Sequence, residues 1–406
     1  MANREVGLPR FYIDFSALAR VLGLWVTQKE EWEGGSYEFD RNSHVIDRMN
    51  SSQYDLGSEN LSNAYEVWLG DYSTPKTFLF SASAGEIKPH LHMSFWNVYG
   101  VNYNLDWAKL MTTTNWYGVL NHSFHNAVTS NSDVNNVVVS GFFSNSNNSI
   151  SQHGVPTGRN EDTVCDTQQM EEYNGFSITT FDNPMCMPIN ESNYLSHNDI
   201  NKYGRFCVRF TPDLDGVFPN DRYEISIGAL MFGKYFDMPH SPDLQVKKSI
   251  SFDGVDSSRG VSGSDFVHIN NTGLPAWQHG DAWKNVSYDN KGRALNLGTG
   301  GRRSWNMKFS YVSQSNMFIN HHQDKSFGYL SNESSSMEFT EGSDGVIESI
   351  FQLTLGGAVP FVFCPDSNAS ASEKEFAVCR FAKDSLSITQ TANNVWDVQM
   401  ILEEVW

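Results

Sequence analysis

The sequence predicts an all-β protein of two β-sandwich or barrel domains, with long loop insertions and a short N-terminal helix. Three observations predict it. Aromatic residues make up 13 % of the 406 positions and charged residues only 18 %, against roughly 25 % charged in an average globular chain. Many aromatics beside abundant Asn and Ser suit strands and turns better than helical bundles. Short strand-like runs, parted by Gly, Asn, Ser and Asp clusters, recur about every ten residues from Val67 onward. Alternation is clearest where Trp305, Met307, Phe309 and Tyr311 interleave with Asn306, Lys308 and Ser310. That spacing puts the first four on one face of a strand.

The best helix candidate is 11–23, FYIDFSALARVLG. Leu18, Val21 and Leu22 fall at three- and four-residue spacing, and Gly23 offers a stop. Residues 29–60 are polar and rich in Gly, Ser and Asn, and read as an extended arm or long loop. Strand-like runs follow at 77–80, 92–96, 116–120 and 137–143. A polar excursion at about 144–200 is too long for a turn and reads as an insertion or ordered surface loop. Strands resume at 206–210 and 223–231, where Tyr223, Ile225 and Ile227 mark one buried face. Pro239 and Pro242 bar a strand from running through 232–243, so the domain boundary is placed there. Beyond it Leu244, Val246 and Ile250 alternate with Gln245 and Lys247, and 260–301 is loop-rich with Trp277 and Trp283 embedded. The stretch 347–355 fits a short helix or a strand, ended by Gly356 and Gly357. The chain closes on two alternating stretches, Leu386 with Ile388, then Trp396, Val398, Met400 and Leu402. The organisation expected is a helix and arm at 1–60, a β-sandwich at 61–238 with the insertion at about 144–200, and a second β domain at 239–406. Heptad, solenoid and fibre repeats are missing from the sequence.

A formal net charge of −19 speaks against a nucleic-acid grip, which needs clustered Lys and Arg. It suits solubility, packing beside like copies, or a wall past which DNA slides. The apolar runs fall far short of the roughly 18 residues of a membrane span. The opening MANREVGLPRFYIDF lacks the pattern of a secretory leader. A chain that is made and stays on the cytoplasmic side until something else releases it, without a membrane partner, is therefore expected. Cys165, Cys186, Cys207, Cys364 and Cys379 are scattered without metal spacing and read as free, mostly buried thiols.

The motifs GxSxG, Walker loop and HExxH do not occur. GTGGRR at 298–303 enters a strand and reads as a hairpin turn, not a phosphate cradle. A non-enzymatic protein with no cofactor and no metal is expected. A metal site would draw on His90 with His92, His122 with His125, or His321 with His322 and Asp324, and three or four ligands must converge. Loop oxygens such as DVNN at 133–136 are the calcium alternative, without EF-hand spacing. Glu30 with Glu31 and Glu403 with Glu404 are the pairs a glycosidase would hold about 5–9 Å apart; exposed acidic residues explain them equally. Trp96, Trp107, Trp116 and Tyr117 offer rings that stack on glycans or on a partner, and core packing of strand aromatics is the other reading of the same four.

Three stretches together resemble bacteriophage virion structural proteins. NWYGVLNHSFHNA (115–127) is similar to a strand-and-turn motif of galactose-binding-like sandwiches in phage tail proteins, through Val119, Leu120, Asn121, His122 and Phe124. IGALMFGKYFDMPHSPDLQVKKSISFDG (227–254) resembles the passage between domains in the same proteins. GGRRSWNMKFSYVS (300–313), and 355–406 with its PFVFCPD, CRF and closing EEVW, resemble the C-terminal regions of distal-tail, baseplate and tail-tube-like proteins, those of marine phages among them. The resemblance covers about half of the chain, and the excursion at 144–200 and the N-terminal arm depart from it. It implies a jelly-roll or galactose-binding-like sandwich followed by a tail-tube-like module. It also implies a homo-oligomeric ring, often sixfold, around the DNA channel of the tail, docked to fibres or neighbouring virion proteins and without catalysis. A capsid decoration or vertex protein, and a host-glycan-binding module of the tail, are the alternatives.

Overall fold

The computed structural model describes residues 7–22, 76–81, 91–96, 114–122, 128–129, 136–144, 162–165, 171–173, 176–180, 205–213, 222–251, 255–269, 302–318, 345–368, 376–383 and 385–405. Through the first half these form β1 (Arg10–Asp14), α1 (Phe15–Val21), β2 (Lys76–Ser81), β3 (Leu91–Trp96), β4 (Trp116–Leu120), β5 (Val128–Thr129), β6 (Asn136–Ser144), β7 (Asp162–Cys165), β8 (Glu171–Tyr173) and β9 (Phe176–Thr180). Next come β10 (Arg205–Asp213), β11 (Arg222–Ile227), β12 (Ala229–Asp237), β13 (Lys247–Ser251), β14 (Val255–Arg259), β15 (Asp265–Ile269) and β16 (Arg302–Ser313). The chain closes with α2 (Gln314–Met317), α3 (Val346–Leu353), β17 (Phe361–Cys364), β18 (Ala377–Phe381), β19 (Ser387–Ala392) and β20 (Val395–Glu404). The described residues are thus predominantly β, in antiparallel sheets with few helices, and the fold class is all-β.

The principal sheet has 11 strands in the order β13-β16-β20-β18-β17-β1-β12-β4-β9-β8, with β19 also paired to β20. The order sorts the chain. Strands from 247–404 lie on one side of the β17–β1 pairing, and strands from 10–237 lie on the other. Asp243 continues the ladder beyond β13, donating its amide to the Lys308 carbonyl at 2.8 Å. Smaller sheets run β3-β10-β6-β7 and β2-β11-β5, and β14 and β15 form a separate two-stranded hairpin.

β1 explains why the two sides cohere. Its side chains alternate between two apolar layers, and both layers are covered. Tyr12 packs with Trp116, Leu120, Ile178, Met231 and Val362 on one face. On the other, Phe11 meets Phe361 at 5.5 Å, Phe363 at 5.2 Å and Phe381 at 6.3 Å. Aromatic pairs at such spacings add stabilisation beyond their buried area. Arg10 anchors the strand's start with two bonds to Asp237, at 2.6 and 2.8 Å, directly across the β1–β12 register. Its end is a helix cap: Asp14 Oδ1 accepts from the Ser16 amide at 2.9 Å and from the Ser16 hydroxyl at 2.7 Å. Opposite Asp14 lies Gly233, where a Cβ would overlap the Ile13 carbonyl oxygen.

Several expectations need correcting. The helix begins at Phe15, because 10–14 is a strand. A strand buried on both faces carries no helix- or strand-specific apolar period, so FYID passed as helical. β12 runs on to Asp237 before the prolines stop it. β7, β8 and β9 fall inside the excursion expected at about 144–200, and β9 joins the principal sheet through β4. Of the alternating stretch that begins at Leu244 only Lys247–Ser251 forms a strand, β13, and Leu244 is 97 % and Ile250 54 % exposed. Along β16, Trp305, Met307 and Phe309 are buried as expected, but Tyr311 is 82 % exposed. The arm expected at 29–60 lies outside the described residues.

Candidate functional site

The rings read from sequence as ligand contacts divide. Trp116 and Tyr117 are fully buried in β4. Trp116 donates its indole N–H to the Ile13 carbonyl at 3.2 Å and meets Tyr12 edge-on at 5.2 Å. Neither ring shows a face to solvent, so a ligand has no access to them. Trp96 closes β3, and Trp107 lies outside the described residues.

Polar groups that suggest chemistry from sequence hold the fold together instead. Glu403 and Glu404 are neighbours on a strand, so they point to opposite faces. Glu404 is buried and takes a forked contact from Arg303, with Nη2 at 2.7 Å from Oε1 and Nε at 3.0 Å from Oε2. Arg303 also donates to the Phe376 carbonyl at 2.8 Å. Glu403 faces Arg380 across the ladder on the exposed side. These two carboxyls do not converge on a substrate. Cys379 stands opposite Glu404, and burial pushes its thiol well above the ordinary range. Cys364 and Cys379 are both free and buried. Asp14 is raised by burial, against the pull of Arg20 and of the bonds from Ser16. His122 Nε2 lies 2.7 Å from Ser177 Oγ, a nucleophile–base distance; both are buried, which closes the hydroxyl to a substrate.

Among the described residues no three His, Cys, Asp or Glu side chains gather as metal ligands would. His92 lies in β3; His90, His125, His321, His322, Asp324, Glu30, Glu31, residues 133–135 and the turn 298–301 lie outside the described residues. No helix among the described residues is long and apolar enough to cross a membrane.

Among the described residues most of the large exposed apolar side chains, Leu244, Ile250, Val261, Phe266, Tyr311 and Ile388, lie in 244–266, β16 and β19. Among the described residues β13 ends the principal sheet, with Lys247 and Lys248 exposed and Ile250 54 % exposed. The β14–β15 hairpin presents Val261, fully exposed at its tip, and Phe266 at 61 %. Its turn is tied by Gly260 and Ser264, with Gly263 at φ 83°. A two-stranded hairpin is marginal by itself in water, and this one spends apolar side chains on solvent. Beyond it lies the β16 bulge. Phe309 faces Val398 and Val312 faces Trp396, so Ser310 and Tyr311 together oppose Asp397. Tyr311 adopts φ 63°.

No protein-family model, curated protein or solved structure matches this chain. The arrangement of its own residues therefore carries the functional reading. Sequence patterning found β13, β16 and β19 but not the β14–β15 hairpin, and it put Tyr311 on one face with Trp305, Met307 and Phe309. Alternation records where apolar side chains sit, not whether another layer covers them.

Proposed function

We propose that this chain is a non-enzymatic structural protein of a bacteriophage particle, a tail ring component such as a distal-tail, baseplate or adaptor protein. It resides in the virion after assembly in the host cytoplasm. Its partners are further copies of itself, six in the ring that the resemblance implies around the DNA channel, and neighbouring tail or virion proteins. It reads no nucleic-acid sequence and enters no membrane. On this reading the strands on the two sides of the β17–β1 pairing form two sandwich- or barrel-like domains. The C-terminal one builds the ring, and the N-terminal one docks neighbours or fibres.

The observation that supports the reading is that β13 ends the principal sheet among the described residues, while Val261 and Phe266 of the β14–β15 hairpin stand in water. Unpaired edges with exposed apolar side chains are templates for another chain, and proteins acting alone guard them. Ring closure by a head-to-tail contact covers such an edge in every copy. Mass photometry of the purified chain is expected to show a closed oligomer, and the pair Val261→Ser with Phe266→Ser is expected to release monomers. Cryo-electron microscopy of whole particles is expected to place the copies in one tail ring. Hundreds of copies on the capsid would replace the reading with a decoration protein, and a chain missing from the particle would end both.

A further inference from the structure

Tyr311 occupies a place that the fold itself does not need. Without the bulge the residue after Ser310 would follow Trp305, Met307 and Phe309 into the core. The extra residue turns Tyr311 out, and Val312 takes the buried place at 0 % exposure. The tyrosine then bears a left-handed backbone, which an aromatic side chain rarely adopts, and leaves its ring in water. Among the described residues neither cost is returned, since the ring is 82 % exposed.

The bulge is nonetheless firmly built. Ser310 donates its hydroxyl to Asp243 Oδ2 at 2.7 Å and its amide to Asp243 Oδ1 at 3.3 Å. On the other side the Tyr311 amide donates to Asp397 Oδ1 at 3.3 Å, while Lys308 Nζ lies 2.8 Å from Asp397 Oδ2. Two aspartates on separate segments thus fix one exposed ring. Strained conformations that surrounding contacts enforce tend to mark functional positions.

The surroundings define the ligand. Lys308 faces Gln399 across the ladder, and Gln399 donates to Asn306 Oδ1 at 3.2 Å. Thr389 and Ser387 of the fully exposed β19 continue the row opposite Asp397 and Gln399. Ile401 is half-buried opposite Asn306. The face is rich in amides and hydroxyls, and its central charges, Lys308 and Asp397, pair at 2.8 Å. A protein anchor would seek a desolvated apolar pocket around the ring. A phosphorylated or uronic chain would seek unpaired cations. An uncharged sugar chain matches: its C–H face stacks on the aromatic ring, and its hydroxyls bond to amides and to the ion pair.

We infer that the Tyr311 bulge and the adjoining face of β16, β20 and β19 form a binding site for a neutral polysaccharide or oligosaccharide chain. This site is separate from the buried Trp116 and Tyr117, and it does not depend on ring formation.

The test uses the full chain on an array of neutral hexose and N-acetylhexosamine oligosaccharides, followed by calorimetry with the strongest binder. Tyr311→Gly relieves the backbone and removes the ring. It is expected to melt at or above the parent temperature and to lose at least tenfold in affinity. Tyr311→Trp is expected to stay within about threefold of the parent, since stacking is retained, and Gln399→Ala to weaken binding. Absence of binding to every neutral glycan by the parent chain overturns the inference. So does undiminished binding by Tyr311→Gly, or a Tyr311→Gly chain that loses self-association in place of glycan binding.

Discussion

Tyr311 sits where a non-glycine residue is disfavoured by about 1–2 kcal/mol, and its side chain adds no burial in return. Tyr311→Gly is therefore expected to raise stability by up to about 1 kcal/mol, glycine's greater unfolded-state freedom offsetting the rest; thermal denaturation measures it. The clamp on that residue depends on pH. The hydrogen bond from Lys308 holds the Asp397 carboxyl below the usual carboxylate range. A depressed folded value means the stabilisation is present at neutral pH and is lost as pH falls through that value, so protection of the Tyr311 amide, relative to the intrinsic exchange rate at each pH, is expected to fall only in acid below the ordinary carboxylate range. Asp14 has the opposite sign. Burial raises it, so its contribution is present at low pH and lost as pH rises through the raised value. Asn caps a helix as well as Asp, and Asp14→Asn is expected to melt above the parent by a margin that widens from pH 4 to pH 8. Glu404→Ala leaves the 13 %-exposed Arg303 side chain without its carboxylate. A loss of about 3–5 kcal/mol is expected, much of it recovered in Arg303→Met combined with Glu404→Leu.

β16 and β20 were legible because one side of each is covered and the other is wetter. β16 and β20 announce themselves through Trp305, Met307 and Phe309 against Val398, Met400 and Leu402, the rows that face each other in the ladder. α3 was left between helix and strand by its sequence, and settles as a helix from Val346 with Phe351 edge-on to Phe381 at 5.5 Å. β1 was hidden because it is apolar on both faces, and β9 because its short run, FSITT, stands in polar surroundings. The candidate surface was the least legible part. Exposure depends on what lies above a face, and the bulge that expels Tyr311 leaves no signature in SYVS. At this scale one close backbone approach is that of Gly233 in β12 to Ile13 in the neighbouring β1. Gly233→Ala drives a methyl group into the Ile13 carbonyl, and the backbone of a central strand must shift to relieve it. A loss well above the ~1 kcal/mol of an ordinary core adjustment is expected. An unchanged melting temperature would show that the two strands have more room than their spacing implies.

The molecule's two sides meet along β1. Its register ties Arg10–Asp14 to β12 on one flank and Arg10–Ile13 to β17 on the other. Antiparallel ladder bonds and two apolar layers therefore cross from residues 10–237 to residues 247–404 at one strand. If β1 is the coupling element, weakening it must loosen both sides together. Phe11→Ala removes a fully buried ring that touches Phe361, Phe363 and Phe381, at a cost of about 3–5 kcal/mol. Native-state hydrogen exchange followed by peptide mass spectrometry reads the two sides separately, because global opening sets the protection of core strands. β4 and β12 report the N-terminal side; β16 and β20 report the C-terminal side. Equal losses of protection in all four strands are expected from Phe11→Ala. Loss confined to β4 and β12, with β16 and β20 holding their protection, would mean that the sides open independently and that the shared sheet couples them only in geometry. In that case the exposed edge and hairpin would belong to a unit able to assemble without the N-terminal strands.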